Sequence, residues 1–234
     1  MLYVGGMTMK IIDLTLELYS GFVTDNDHLR EHVLNKSKKD NDYSKSKEVE
    51  QRFISFLNQN GTHVEAPLHF IENGASVEQM KVEKMFGDSL VLDVSMLKEL
   101  HDPITKDLLE EAERRQGVYV EKNDIVLIKT RKRGGGEEGA IETKGLDESA
   151  ANWFVEKQIH VVGLDLPNVD RREHLESDIY QFLLSNEIYI VENLINLDQL
   201  PKHSRFLFFG IPLKLRNATT SPIRALSILN SQLI

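Results

Sequence analysis

Three short apolar runs limit what this chain can fold into more than any other feature. They are DIVLIKT (124–130), IHVVGLDL (159–166) and IYIVENL (188–194). Such near-continuous runs suit strands covered on both faces. Between and before them lie amphipathic stretches of helical length: TKDLLEEAERRQG (105–117), DESAANWFVEKQ (147–158) and ESDIYQFLLSNE (176–187). Thr105 is a good N-cap and Gly117 a good C-terminal stop. Apolar strands alternating with helices predict an α/β architecture. Further strand-like runs stand at both ends: MKIIDLTLEL (9–18), Arg52 to Leu57, DSLVLDVSML (88–97), RFLFFGIPLKL (205–215) and SPIRALSIL (221–229). That is more sheet than a simple doubly wound fold needs.

At 234 residues the chain is long enough to bury a sizeable interior and reads as one domain over 9–234. Residues 1–8 show no pattern of their own and read as an N-terminal appendage. The polar, lysine-rich stretch 35–50 reads as a mobile surface loop or frayed helix, with a lid over a site as the sharper alternative. The Gly-rich stretch 131–140 lacks the context of a phosphate loop and reads as a flexible turn. A net charge of −9 without a long basic run argues against nucleic acid or an anionic membrane as the principal partner. No apolar run approaches the roughly 20 residues that span a bilayer. The start MLYVGGMTMK lacks the features of a signal peptide, so a cytoplasmic protein is expected. Zero cysteines remove disulfides, thiolate chemistry and Cys-held zinc. A metal would have to be held by His, Asp, Glu or weaker oxygen donors.

One stretch carries candidate chemistry: NQNGTHVEAPLHF, residues 58–70. In an extended chain residues two apart share a face, so His63 and Glu65 would reach one ion together. Gly61 permits an unusual turn, and Pro67 fixes the backbone ahead of His69. The bland alternative is a loop that happens to carry histidines. Of the others, His28, His32, His101 and His203 read as surface residues, and His160, opening a strand, as structural. Glu192 sits inside the apolar YIVENL, where an unpartnered charge is costly, so a cation is expected beside it.

GTHVEAPLHF resembles the signature H-x-G-T-H-x-D-x-P-x-H of the cyclase family of metal-dependent hydrolases, which includes the bacterial kynurenine formamidases. The likeness extends to KIIDLTLEL, DIVLIKT, GLDESAANWFVEKQIHVVGLDLPNVD, FLLSNEIYIVENLINLDQLP and FFGIPLKLRNATTSPIRALSIL, in the same order. It implies a mixed β/β/α fold, assembled as a homo-dimer or homo-tetramer. It also implies a ligand set, and here the chain departs from the pattern. The family's first histidine falls on Gln59, the second on His63, the bridging aspartate on Glu65 and the proton-transferring histidine on His69. A further ligand pair falls on Tyr180 and Glu192. The serine of G-x-D-x-x-S-x-D becomes Asn168, between Asp165 and Asp170.

Two of the family's metal-binding imidazoles are therefore replaced. His63, Glu65 and Glu192, with Gln59, are the remaining candidate ligands; one nitrogen among several oxygens suits manganese, magnesium or calcium better than zinc. One divalent ion (Mn, Mg or Zn), or none, is the expectation. His174, six residues before Tyr180, is a candidate substitute for the missing imidazole. The resemblance implies hydrolysis of an amide, or a cyclic amide or ester, of a small carbonyl substrate. In it an ion activates water and His69 moves the proton. Tyr180, Asn168 and Asp165 would line the substrate site, with Tyr180 alternatively donating to the substrate oxyanion. The rival expectation is an inactive family member that binds a small molecule.

Overall fold

The computed structural model describes residues 2–4, 7–18, 23–24, 27–28, 30–32, 53–99, 101–131, 144–170 and 178–230. The 35–50 stretch, residues 132–140 of the Gly-rich stretch, and His174 lie outside the described residues, as do the side chains of His28 and His32.

Fourteen strands and three α-helices are described. The strands are β1 (Leu2–Val4), β2 (Met7–Asp13), β3 (Val23–Thr24), β4 (Asp27–His28), β5 (Arg30–His32), β6 (Phe53–Ser55) and β7 (His63–Glu65). They continue with β8 (Phe86–Asp93), β9 (Ile125–Lys129), β10 (Val161–Leu164), β11 (Tyr189–Glu192), β12 (Phe206–Phe209), β13 (Thr220–Pro222) and β14 (Leu226–Asn230). The helices are α1 (Lys106–Gln116), α2 (Glu148–Lys157) and α3 (Asp178–Ser185).

Ten strands form one sheet in the order β1-β2-β14-β12-β8-β9-β10-β11-β7-β13. Its centre, β8-β9-β10-β11, is parallel, and every pairing outside it is antiparallel. The α/β expectation holds for this parallel centre. Helices α1, α2 and α3 make its crossovers and pack side by side, α1 on β8 and α3 on β11. β9, β10 and β11 are buried along their whole length, as their unbroken apolar runs require. Trp153 and Phe154 of α2, with Leu90, Leu92, Ile125, Leu127 and Ile128, are the largest fully buried side chains there. Each contributes roughly 1.5–3 kcal/mol by leaving water.

Both anticipated helix signals are present. Thr105 Oγ1 accepts from Leu108 N–H at 3.3 Å, and Gly117 adopts the left-handed conformation, φ 65°. Asp147 caps α2 in the same way, Oδ1 accepting from Ala150 N–H at 3.0 Å. Asp147→Ala is expected to lower stability by about 1 kcal/mol, a fall in Tm of about 2–4 °C in a thermal melt.

The outer strands differ from their sequence outlines. β2 stops at Asp13, and Thr15 makes an isolated bridge to Leu194. β12 stops at Phe209, ahead of Gly210 and Pro212. The 221–229 run splits into β13 and β14: Pro222, on the edge strand β13, keeps its pairing with His63, and the break comes only after Ile223, whose N–H still donates to the Thr62 carbonyl at 3.0 Å. Leu2–Val4, within the stretch read as an appendage, pairs antiparallel with β2. That split matters for function, since it sends β13 to one edge of the sheet, seven places from β14. There it flanks β7.

Candidate functional site

β7 carries the motif and lies between β11 and β13, antiparallel to both. The register sets Glu192 opposite His63 on one side, and Thr220 opposite Glu65 on the other. Directly opposed residues of an antiparallel pair face the same side. His63, Glu65, Glu192 and Thr220 therefore rise from one face.

The entry into β7 is fixed by Gly61, whose φ of 67° places it in the left-handed region. A Cβ there would lie 2.6 Å from Leu18 Cδ2. The Gly61 carbonyl turns toward His63 and accepts from its Nδ1 at 2.8 Å and from Asn193 Nδ2 at 3.1 Å. Thr62 Oγ1 donates to the Asn193 carbonyl at 2.6 Å, tying the start of β7 to the end of β11.

With Nδ1 committed, His63 presents Nε2 to two carboxylates, Glu65 Oε1 at 3.2 Å and Glu192 Oε2 at 3.4 Å. The three residues are only 2–3% exposed. After Pro67, a 3-10 turn over Pro67–His69 folds His69 back. Its Nδ1 then lies 2.5 Å from Glu65 Oε2. Glu65 thus links His63 to His69. Phe70 lies between two rings, 4.4 Å from His69 and stacked on Tyr180 at 4.3 Å.

The electrostatics follow from burial opposed by pairing. Burial pushes the His63 imidazole down, but hydrogen bonds to Glu192 and Glu65 outweigh it and carry the pKa up to about 10. Burial pushes Glu65 up, and the bonds from His63 and His69 overcome it, leaving the carboxyl below its usual value. Glu192 ends above its usual value, because burial outweighs its bonds to His63 and Tyr180.

The donor chemistry fits one divalent cation. One ligand atom from each of His63, Glu65 and Glu192 lies within 4.8 Å of the others. When His63 Nδ1 carries its proton to Gly61, the Nε2 lone pair points at two carboxylates. Something positive must stand between them, either a proton on Nε2 or a metal ion. Two anionic oxygens and one imidazole nitrogen supply both charge and ligand type.

The other candidates are placed as follows. Gln59 is exposed, with Nε2 at 3.2 Å from His69 Nε2. Tyr180 is buried; its hydroxyl donates to Glu192 Oε1 at 2.5 Å and accepts from Val169 N–H at 3.1 Å. Burial and the neighbouring Glu192 charge raise its pKa well above the ordinary phenol value. A phenol thus occupies the place where an imidazole would meet the cluster, and its proton is already in use. Asp165 accepts from Thr130 N–H (2.9 Å), Thr130 Oγ1 (2.7 Å) and Arg131 N–H (3.2 Å), and burial raises its pKa. Its carboxylate fastens the end of β9 to the end of β10. Asn168 is half-buried in the bend that leads to Val169. His160 is half-buried at the start of β10, and His101 and His203 are exposed. Thr220 was not singled out by any spacing in the sequence. Only strand register brings it to Glu65.

Residues 12–171 match the family model described as "Putative cyclase". A kynurenine formamidase of Bacillus cereus is 31% identical over 165 residues, which cover 70% of this chain and 73% of that one. Among solved structures, isatin hydrolase A from Labrenzia aggregata, bound to benzyl benzoate, superposes with a TM-score of 0.78 at 22% identity. The match covers 94% of each chain. A "predicted metal-dependent hydrolase" from Bacillus stearothermophilus gives a TM-score of 0.70 at 26% identity, covering 94% of this chain and 98% of that one. The low identities of most structural matches speak for the fold; the family model and the formamidase relative speak for descent. The chain belongs to the cyclase family.

Proposed function

We propose that the protein hydrolyses the C–N bond of an amide or lactam of a small carbonyl substrate, using one divalent ion. The observation that carries this is the buried His63–Glu65–Glu192 cluster, joined through Glu65 to His69. The names of the relatives, a formamidase and isatin hydrolases, point to the same bond class.

His63, Glu65 and Glu192 would hold the ion, and Tyr180 fixes the Glu192 carboxylate by donating to Oε1. A bound divalent ion supplies Lewis acidity toward water and the carbonyl. Glu65 accepts from His69 Nδ1 and so leaves Nε2 as the basic atom of that ring. His69 takes a proton from the attacking water on Nε2 and returns it to the departing nitrogen as the C–N bond breaks. The acyl part ends as a carboxylate and the nitrogen as an amine, with one proton passing to solvent; in a lactam both stay in one ring-opened product. Gln59, which lies against Nε2, must give way or reorient toward the substrate for that transfer. Phe70 limits the swing of the imidazole by ring contact.

His69→Ala is expected to lower kcat/KM by about 10²–10⁴-fold, leaving the metal content of the purified protein unchanged. Elemental analysis alongside turnover of aryl formamides and lactams, with Mn or Zn added, tests both statements. No turnover with any added metal would sink the hydrolase reading. A second reading, a family member that binds without turnover, draws on the Tyr180 phenol standing where the family pattern has an imidazole. It predicts saturable ligand binding in that same screen with no product.

A further inference from the structure

Thr220 is fully buried, and among the described residues its hydroxyl has no hydrogen-bond partner. An unpaired hydroxyl in a protein interior is costly and calls for an explanation. Its position supplies one. Thr220 is paired with Glu65 across β13 and β7, so the two Cβ atoms stand on the same face about 4.5–5.5 Å apart.

The strand that holds it is well fixed. The carbonyls of Ala218 and Thr219 accept from Val77 N–H and Ala66 N–H, both at 2.9 Å, and the Thr220 carbonyl accepts from Asn58 Nδ2 at 3.3 Å. A β-branched side chain on such a backbone has few rotamers.

Beyond the Lewis acidity that a bound ion would supply, hydrolysis at a carbonyl gains from a hydrogen-bond donor to the oxygen that takes up negative charge. Ionised Glu65 and Glu192 have no proton to donate. The Tyr180 proton goes to Glu192, the His63 Nδ1 proton to Gly61, and His69 Nδ1 is engaged with Glu65. The Gln59 amide is exposed and rests against the His69 ring, whereas the Thr220 hydroxyl is buried and uncommitted among the described residues, on a strand position that shares the Glu65 face. We infer that Thr220 is a catalytic residue whose hydroxyl donates a hydrogen bond to the substrate carbonyl oxygen; this rests on the hydrolase reading above.

A comparison within the molecule sharpens the test. Ser227 Oγ is also fully buried and unpartnered among the described residues. It lies on β14, in register with Ile12 and Phe208, seven places across the sheet from β13. It has the same unmet bond without the site.

Thr220→Val, Thr220→Ser and Ser227→Ala are compared with the unaltered protein, all loaded with Mn. Turnover is measured on formanilide and isatin, stability by thermal melt, and isatin affinity by calorimetry. Thr220→Val is expected to lose about 10²–10³-fold in kcat/KM and to gain about 2–4 °C in Tm, because an unmet bond disappears. Thr220→Ser keeps the donor and is expected within about fivefold of the parent. Ser227→Ala should gain a similar increment in Tm with kcat/KM unchanged. Thr220→Val activity within twofold of the parent, or a fall in its Tm, overturns the inference. If the parent turns over neither compound, the hydrolase reading fails separately, and the isatin Kd decides. A tenfold weaker Kd for Thr220→Val, with Thr220→Ser near the parent, supports the contact. Equal affinities, or no binding by the parent, overturn it.

Discussion

Glu65→Gln is expected to lower kcat/KM by about three orders of magnitude and to strip most of the bound metal. Glu65 serves two histidines at once, with Oε1 at 3.2 Å from His63 Nε2 and Oε2 at 2.5 Å from His69 Nδ1. An amide keeps the shape but removes the charge. It also replaces one acceptor oxygen with an NH₂ group, which faces a ring nitrogen that is itself a donor. On the proposed mechanism the His69 imidazole would lose its orientation, and the ion would lose one of two anionic donors. Both losses act on the same reaction and do not add as independent effects. Metal content by mass spectrometry and kcat/KM on a single preparation check the pair. A variant that kept metal and a tenth of its activity would remove Glu65 from both roles.

The second large effect concerns stability. In metal-free protein His63 is the positive charge between Glu65 and Glu192, so His63→Ala leaves two buried carboxylates facing each other. Breaking a buried pair in this way costs about 3–5 kcal/mol, or a fall in Tm of roughly 6–20 °C for a chain of this size. The pH dependence distinguishes this mechanism from a simple cavity. The folded-state pKa of His63, about 10, lies above its ordinary 6.5. Its contribution is therefore full below 6.5 and is lost as pH rises through 10. Glu65 works in the opposite sense: its folded pKa is depressed, so its contribution is present above 4.5 and is lost as pH falls through the folded value.

The unaltered protein should accordingly weaken between pH 7 and 10. The variant has no alkaline loss of that origin. It should instead gain stability on mild acidification, because a proton on the raised Glu192 carboxyl relieves the repulsion. Melts at pH 5, 7 and 9.5 in chelator test this. A Tm difference that stayed constant across the three would point to lost packing instead.

What the sequence disclosed and what it withheld divide along physical lines. The apolar runs that became β9, β10 and β11 were legible because burial on both faces leaves no room for polar residues. The caps of α1, Thr105 and Gly117, were legible because they follow from local backbone and hydrogen-bonding rules. His63 and Glu65 could be paired because strand periodicity is a local property. Tyr180 could be placed by resemblance, but not the use of its proton on Glu192, which depends on how α3 packs against β11. Asp165, expected near substrate, is bound by Thr130 and Arg131 because the β9–β10 register sets these strand ends side by side. Thr220 was invisible for the same reason: its neighbour Glu65 is more than 150 positions away, and pairing across strands leaves no periodic trace in a single chain.

The insertion of β7 between β11 and β13 also bears on how the molecule assembles. The chain reaches residue 63 early, yet the strands that flank it are written near residues 190 and 220. The parallel centre can form from neighbouring β-α-β units, each closing a short loop, whereas β7 must wait for a closure of more than a hundred residues. His63 and Glu65 meet Glu192 only at that step. On loop-closure grounds the His63–Glu65–Glu192 cluster is expected to form late in folding, so an ion bound there would guide no earlier stage. Its effect would be to hold the finished sheet shut at the seam between β7 and β11, slowing unfolding and leaving the speed of folding unchanged.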